Sequence, residues 1–224
     1  QGWGTGNSKQ GELTIMQLEI DGLSDGDALP EPFAFGIKSA EGHVRLGENR
    51  NPGLRWEQAP EGTRSFVIIC VDTDVPTSGE DVNKEGRTVP EDLPRGRFYH
   101  WVMVDVPPET TRIEDSACSS GVTPGGKSDP PGPEGSRQGR NDYTDWFAGD
   151  KQMGGTCLGY DGACPPWNDE RLHHYHFVVY ATDLERCPVD GAFSGGDVEA
   201  AVQGHVLDEA RVTLTYTLNP SLST

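Results

Sequence analysis

The chain has 224 residues, 29 of them glycine and 17 proline, and a formal net charge of −18 at pH 7. That length suits one domain with a sizeable core, and the glycine and proline content favours short strands and turns over long helices. The charge argues against nucleic acid as a partner, and no apolar run approaches the roughly 20 residues needed to cross a bilayer.

In chain order, residues 1–11 read as a flexible tail and 12–224 as a single domain. The N-terminus has neither a basic n-region nor an apolar h-region, so it reads as a processed or trimmed end. Leu13 to Ile20 is the first predicted strand. A Gly- and Pro-punctuated turn leads to a short strand at Phe33 to Ile37, and the loop GENRNPGLRW (47–56) runs into another. Ser65 to Val71 (SFVIICV) is apolar on both faces, the pattern of a central strand covered on two sides. It exits through Asp72-Thr73-Asp74-Val75-Pro76, which puts two carboxylates at a strand end. Residues 77–97 are charged and Pro-containing and read as an exposed loop. Phe98 to Val106 is the next strand. Strict alternation there puts His100 on one face with Val102, Val104 and Val106, and Tyr99, Trp101 and Met103 on the other.

Residues 119–142 form a long Gly/Pro/Ser-rich loop, the kind that often carries function. It contains a literal G-x-x-x-x-G-K-S match from Gly121 to Ser128. The match is rejected, because polar residues precede it and Pro130-Pro131 block the helix that would hold the phosphates. Gly196 to Ala210 reads as the one clear helix, with Asp197 as N-cap and a face of Val198, Ala201, Val202 and His205. Ala210 to Leu218 alternates and closes the sheet. These elements predict an all-β antiparallel sandwich with a late helix. Five cysteines without a CxxC pattern point weakly to a reducing compartment, with a pairing of Cys157 and Cys164 left open. The expected location is cytoplasmic, or periplasmic if a signal peptide has been removed.

The stretch from Leu158 to Tyr180 organises the chemistry. Pro165-Pro166 makes a stiff wall, and a strand then opens with His173-His174-Tyr175-His176. Period 2 puts His173 and Tyr175 on one face, His174 and His176 on the other. With Asp72 and His100 at neighbouring strand ends, two imidazoles and a phenol can hydrogen-bond a phosphate, sulfate or carboxylate, and a carboxylate can orient and charge an imidazole.

The motifs DTDVP (72–76), YHW (99–101), GACPP (162–166) and HHY (173–175) resemble the paired signatures of phosphatidylethanolamine-binding proteins, in particular the bacterial Raf kinase inhibitor-like branch. GENRNPGLRW and the GHVL at 204–207 resemble it too, and the likeness runs from about residue 12 to 218. The resemblance implies a large sheet packed on a smaller one, with a small anion-binding pocket at one end. Asp72, His100, Pro165, Pro166, His173 and Tyr175 would line it, Asp74 and Trp101 would support it, and Asn141 and Asp142 would lie nearby. It also implies phospholipid head groups or similar anions as ligands, and a homodimer. Thr73 and Val75 replace the usual Pro and Ala of D-P-D-A-P, His174 replaces the Arg of H-R-Y, and Ala163 replaces a Pro. The loops 77–97 and 119–142 are placed where they could narrow the entrance.

The function expected is a binding module for a small anion, with no cofactor, no metal and no turnover. No G-x-S-x-G elbow or evident Cys-His pair supplies a nucleophile. One alternative is an enzyme, a slow hydrolase or cyclase with His100 or His173 as general base tuned by Asp72. Another is a regulator that binds a protein partner through its loops. Two histidines and a carboxylate also match a metal-binding triad in kind.

Overall fold

A computed structural model describes residues 15–222. The predicted tail at 1–11 and the first residues of the predicted opening strand lie outside that range. Within it, the strands are β1 (Gln17–Ile20), β2 (Gly36–Ser39), β3 (His43–Leu46), β4 (Leu54–Glu57), β5 (Ser65–Pro76), β6 (Arg95–Val106), β7 (Arg112–Ile113), β8 (Arg137–Gln138), β9 (His173–Thr182) and β10 (Val206–Tyr216). Two helices, α1 (Tyr143–Trp146) and α2 (Gly195–Val202), complete the described elements with a 3-10 turn at Glu31–Phe33. No helix among the described residues is long and apolar enough to cross a membrane.

The large sheet runs in the order β10-β9-β5-β6-β8, a smaller one in the order β1-β4-β7, and β2-β3 form a hairpin. The neighbour pairs are antiparallel. Burial explains why β5 sits centrally. Its Phe66, Ile68 and Cys70 join the core between the two sheets, with Trp56 of β4 and Phe177 of β9. Its Val67, Ile69 and Val71 face the other way, into a second core closed by Val198 and Val202 of α2. Both faces of the strand are therefore removed from water, as its continuous apolar run requires.

Three readings are corrected. The helix is shorter than 196–210. Ser194, not Asp197, is its N-cap, and Asp197 completes a capping box by receiving the Ser194 backbone N–H. From Val206 the chain pairs with β9 instead of continuing the helix. Residues 77–97 are not simply exposed: β6 begins at Arg95, whose side chain is 4% exposed, and Val89 is 1% exposed.

Strict alternation also fails in β6. Trp101 lies opposite Cys70, but Tyr99 lies opposite Val71, so β6 spends two steps where β5 spends one. His100 is the extra residue of this bulge. Tyr99 consequently faces the α2 core with Val102 and Val104, and Trp101 faces the inter-sheet core with Met103. A second irregularity, with Asp105 at φ 59°, returns Val106 to the inter-sheet core. Bulges re-aim side chains near functional sites, and this one turns His100 towards the end of the sandwich.

Candidate functional site

At that end lies a cleft of about 470 Å³. Asp72, His100, Pro165, Pro166, His173 and Tyr175 all line it. Register accounts for the convergence, since Asp72 pairs with Tyr175 across β5–β9 and with Phe98 across β5–β6. Beyond the bulge, β5 turns at Thr73 and Asp74, and the Asp74 N–H donates to Asp72 Oδ1 at 2.7 Å.

The two imidazoles differ sharply. His173 Nδ1 lies 2.6 Å from Asp72 Oδ2, and its Nε2 lies 2.7 Å from Asp169 Oδ2. Ionised carboxylates only accept, so both ring nitrogens donate and the ring is an imidazolium. Burial pushes its pKa down, but Asp72 and Asp169 outweigh burial and raise it to about 9. Asp169 is itself forked by Arg95, at 2.6 and 2.9 Å, in a pair whose side chains are 4% and 2% exposed. His173 therefore has no free nitrogen for a ligand or a metal.

His100 is held by one contact, from Nδ1 to the Asp161 carbonyl at 2.8 Å. A carbonyl only accepts, so Nδ1 carries the proton and Nε2 is left without a partner among the described residues. Burial dominates here and lowers the pKa of the ring, against the pull of Asp72. His100 is neutral at pH 7. Its ring packs among Phe98, Tyr143 and Tyr175, with centroids 4.7, 5.5 and 5.3 Å away.

The Tyr175 hydroxyl is buried close to the Asp72 carboxylate, but makes no hydrogen bond of good geometry within the described residues. Burial, then the Asp72 charge, push its pKa well up, so it stays a neutral phenol. The walls above this floor are mostly apolar: Phe35, Val75, Val82, Phe98, Phe147 and Met153. At the mouth, Leu46 and Trp146 are 58% and 54% exposed. The Cys164 thiol also lines the cleft, and burial raises it to about 12, which keeps it a thiol rather than a nucleophilic thiolate. All five cysteines are free, so Cys157 and Cys164 are not paired.

None of the four supporting residues lines the cleft itself. Asp74 turns outward to His174, whose backbone N–H it accepts at 2.8 Å. Trp101 is buried in the inter-sheet core against Tyr160, on the same face as Met103. Asp142 accepts the Tyr99 N–H. Asn141 acts at one remove: its Nδ2 donates to Asp161 Oδ2 at 2.9 Å, while Asn49 and Lys127 bind Asp161 Oδ1. Asp161 in turn holds His100. Lys127, from the rejected phosphate-loop match, thus serves a buried carboxylate.

Asp169, Arg95 and Asp161 were not singled out from the sequence. The sharpest available signal was an acidic residue four positions before His173. The loop 77–97 does border the entrance, through Gly79, Val82 and Asn83, and is tied down by Asn168, which bonds the carbonyls of Asp81 and Arg87. Residues 119–142 stay clear of this cleft and border a separate surface hollow instead.

With this geometry in place, a family model described as phosphatidylethanolamine-binding protein matches residues 20–217. The UPF0098 protein YbhB of Escherichia coli (strain K12) is 33% identical over 201 residues, covering 90% of this chain and 99% of YbhB. A UPF0098 protein of Methanothermobacter thermautotrophicus is also 33% identical over 201 residues, covering 90% of this chain and 98% of its own length. The crystal structure of Escherichia coli YbcL, described as a new member of the mammalian PEBP family, superposes with a TM-score of 0.66 at 27% identity, covering 90% of this chain and 98% of YbcL.

Proposed function

The chain belongs to the phosphatidylethanolamine-binding protein family, and from that premise we propose that its cleft captures a small acid head group carrying an apolar tail, without turning it over. The head group is a phosphate, a carboxylate or a phosphoethanolamine-like group. The observation that carries this reading is the buried Tyr175 hydroxyl with no partner at the floor of the cleft. An unsatisfied buried polar group is costly, and a ligand oxygen is the partner it lacks. Tyr175 and His100 would touch the head group, Asp72 and His173 would hold the floor rigid, and Pro165 and Pro166 would form its stiff wall. The aromatic and aliphatic residues above suit a tail.

One observation favours an enzyme instead, the free Nε2 on a neutral His100, which fits a general base. No activated nucleophile stands beside it among the described residues. The family likeness also extends the proposal to a homodimer, which light scattering tests, and the five free cysteines suit the cytoplasm, which fractionation tests against the periplasm.

Calorimetric titration with phosphate, acetate, hexanoate and phosphoethanolamine tests the binding reading on wild type and on Tyr175→Phe. A hydrogen bond to a charged group contributes about 1.5–3 kcal/mol, so the variant should bind roughly tenfold or more weakly. Hexanoate should bind more tightly than acetate. If folded wild type binds none of the four, the reading is wrong.

A further inference from the structure

The charges at the floor of the cleft already cancel. Asp72 and Asp169 are matched by the His173 imidazolium and the Arg95 guanidinium, and Asp161 by Lys127. Among the described residues, no cation is left over to face a ligand at this floor. An anion entering alone would be a buried charge without a partner, which proteins avoid. The side-chain nitrogen and oxygen atoms still available at the floor are the Tyr175 hydroxyl, which donates one hydrogen bond, and His100 Nε2, which in the neutral ring can only accept. An ionised oxygen set against that lone pair is repelled.

We infer that the cleft takes its acid together with one proton, held between His100 Nε2 and the ligand oxygen, so that binding is coupled to the uptake of a proton from solvent. This rests on the binding reading above and specifies its electrostatics. The ligand class is a monoanion that is discriminated from a dianion, because one proton neutralises only one charge. Balance is simple: the free acid anion and one solvent proton enter, the proton forms an N–H bond at His100 Nε2 that donates to the ligand oxygen, and no other covalent bond changes. Tyr175 donates to the second oxygen.

Everything that faces His100 is consistent with this. From β5 comes Asp72, already spent on His173 and the Asp74 N–H. From β9 come the His173 cation, which disfavours a charged His100 in the empty cleft, and Tyr175. From α1 comes Tyr143, whose hydroxyl is occupied by the Gly162 carbonyl, and from the loop comes Asp161, whose carbonyl takes Nδ1. The empty site therefore keeps His100 neutral, and only an arriving negative charge reverses that preference.

The test is calorimetry of butyrate and methanesulfonate binding to the wild-type protein between pH 6.5 and 8.0, each in two buffers of different ionisation enthalpy. Both probes stay ionised over that range, and His173, raised to about 9, keeps its proton. One proton taken up per ligand predicts a tenfold loss of affinity per pH unit, roughly 30-fold across the range, with a buffer-dependent enthalpy of the same stoichiometry. His100→Gln, which keeps a polar side chain but cannot titrate, should bind more weakly, with a flat pH profile and no uptake. Affinity independent of pH in wild type, with no proton taken up, would overturn the inference and leave the binding reading standing. No binding of either probe at any pH to folded protein would overturn both. If His100→Gln does not fold, the wild-type slope and uptake decide alone.

Discussion

His173 and His100 line the same cleft, two strands apart in the sheet order, yet they hold opposite charge states. The region around His173 is an ionic lattice: Asp72, Asp169 and Arg95 fill both of its nitrogens and keep it cationic. The region around His100 is an aromatic box with a single carbonyl contact, and burial there keeps the ring neutral. One residue type thus serves two roles because its surroundings differ. A ring whose nitrogens are saturated can only organise, while a ring with a free nitrogen can meet a ligand.

The comparison breaks most readily on the ionic side. Arg95 makes five hydrogen bonds, two to Asp169 and three to backbone carbonyls. Arg95→Met would leave Asp169 buried without its guanidinium, and by analogy with broken buried pairs the fold should lose about 3–5 kcal/mol in urea denaturation. A loss below about 1 kcal/mol would mean that the lattice is not rigid.

The pH dependence of stability sharpens it next. The folded pKa of His173 is about 9, above an unfolded value near 6.5. A raised folded pKa contributes stability that is fully present below the unfolded pKa and is lost as pH rises through the folded one. Wild type should therefore lose about 3 kcal/mol between pH 6.5 and pH 9–10, at about 1.4 kcal/mol per pKa unit. His100, with its lowered pKa, acts in the opposite sense below pH 6.5. In His173→Gln the alkaline loss should vanish; its persistence would assign the loss to another group.

Two tyrosines of the aromatic side give a finer contrast. Tyr143→Phe removes a 2.6 Å hydrogen bond to the Gly162 carbonyl and should cost about 1 kcal/mol. Tyr175→Phe removes a hydroxyl that has no partner, so stability should stay level or rise slightly while ligand affinity falls. Equal losses in thermal unfolding of the two variants would show that Tyr175 is satisfied in the free protein. The smallest effect is expected at the mouth: Trp146→Ala, at an exposed position, should change stability by only about 0.5 kcal/mol or less. It should nevertheless narrow the preference for hexanoate over acetate.

Much of the frame was readable in the amino-acid order. The doubly apolar run at 65–71 marked the central strand, and the alternation of 173–176 correctly divided His173 and Tyr175 from His174 and His176. The six residues named for the cleft do line it. Alternation misled at 98–106 because a bulge adds a residue without any marker such as glycine, and so moved Tyr99 to the other core while Trp101 stayed with Met103. The stretch 77–97 looked exposed because its charges were counted, whereas Arg95 is buried by partners far along the chain.

The sequence by itself determined the long strands, the sandwich and which polar side chains stand at its end, because those follow from local periodicity and from motifs spelled in short runs; the short strands β3, β7 and β8 carried no such pattern. Only the tertiary structure decided what those side chains are chemically. Asp72 reaches His173 across 101 residues, and Asp161 reaches His100 across 61. Protonation depends on the charges, carbonyls and water within a few ångströms, and that neighbourhood exists only once the distant strands and loops have packed together.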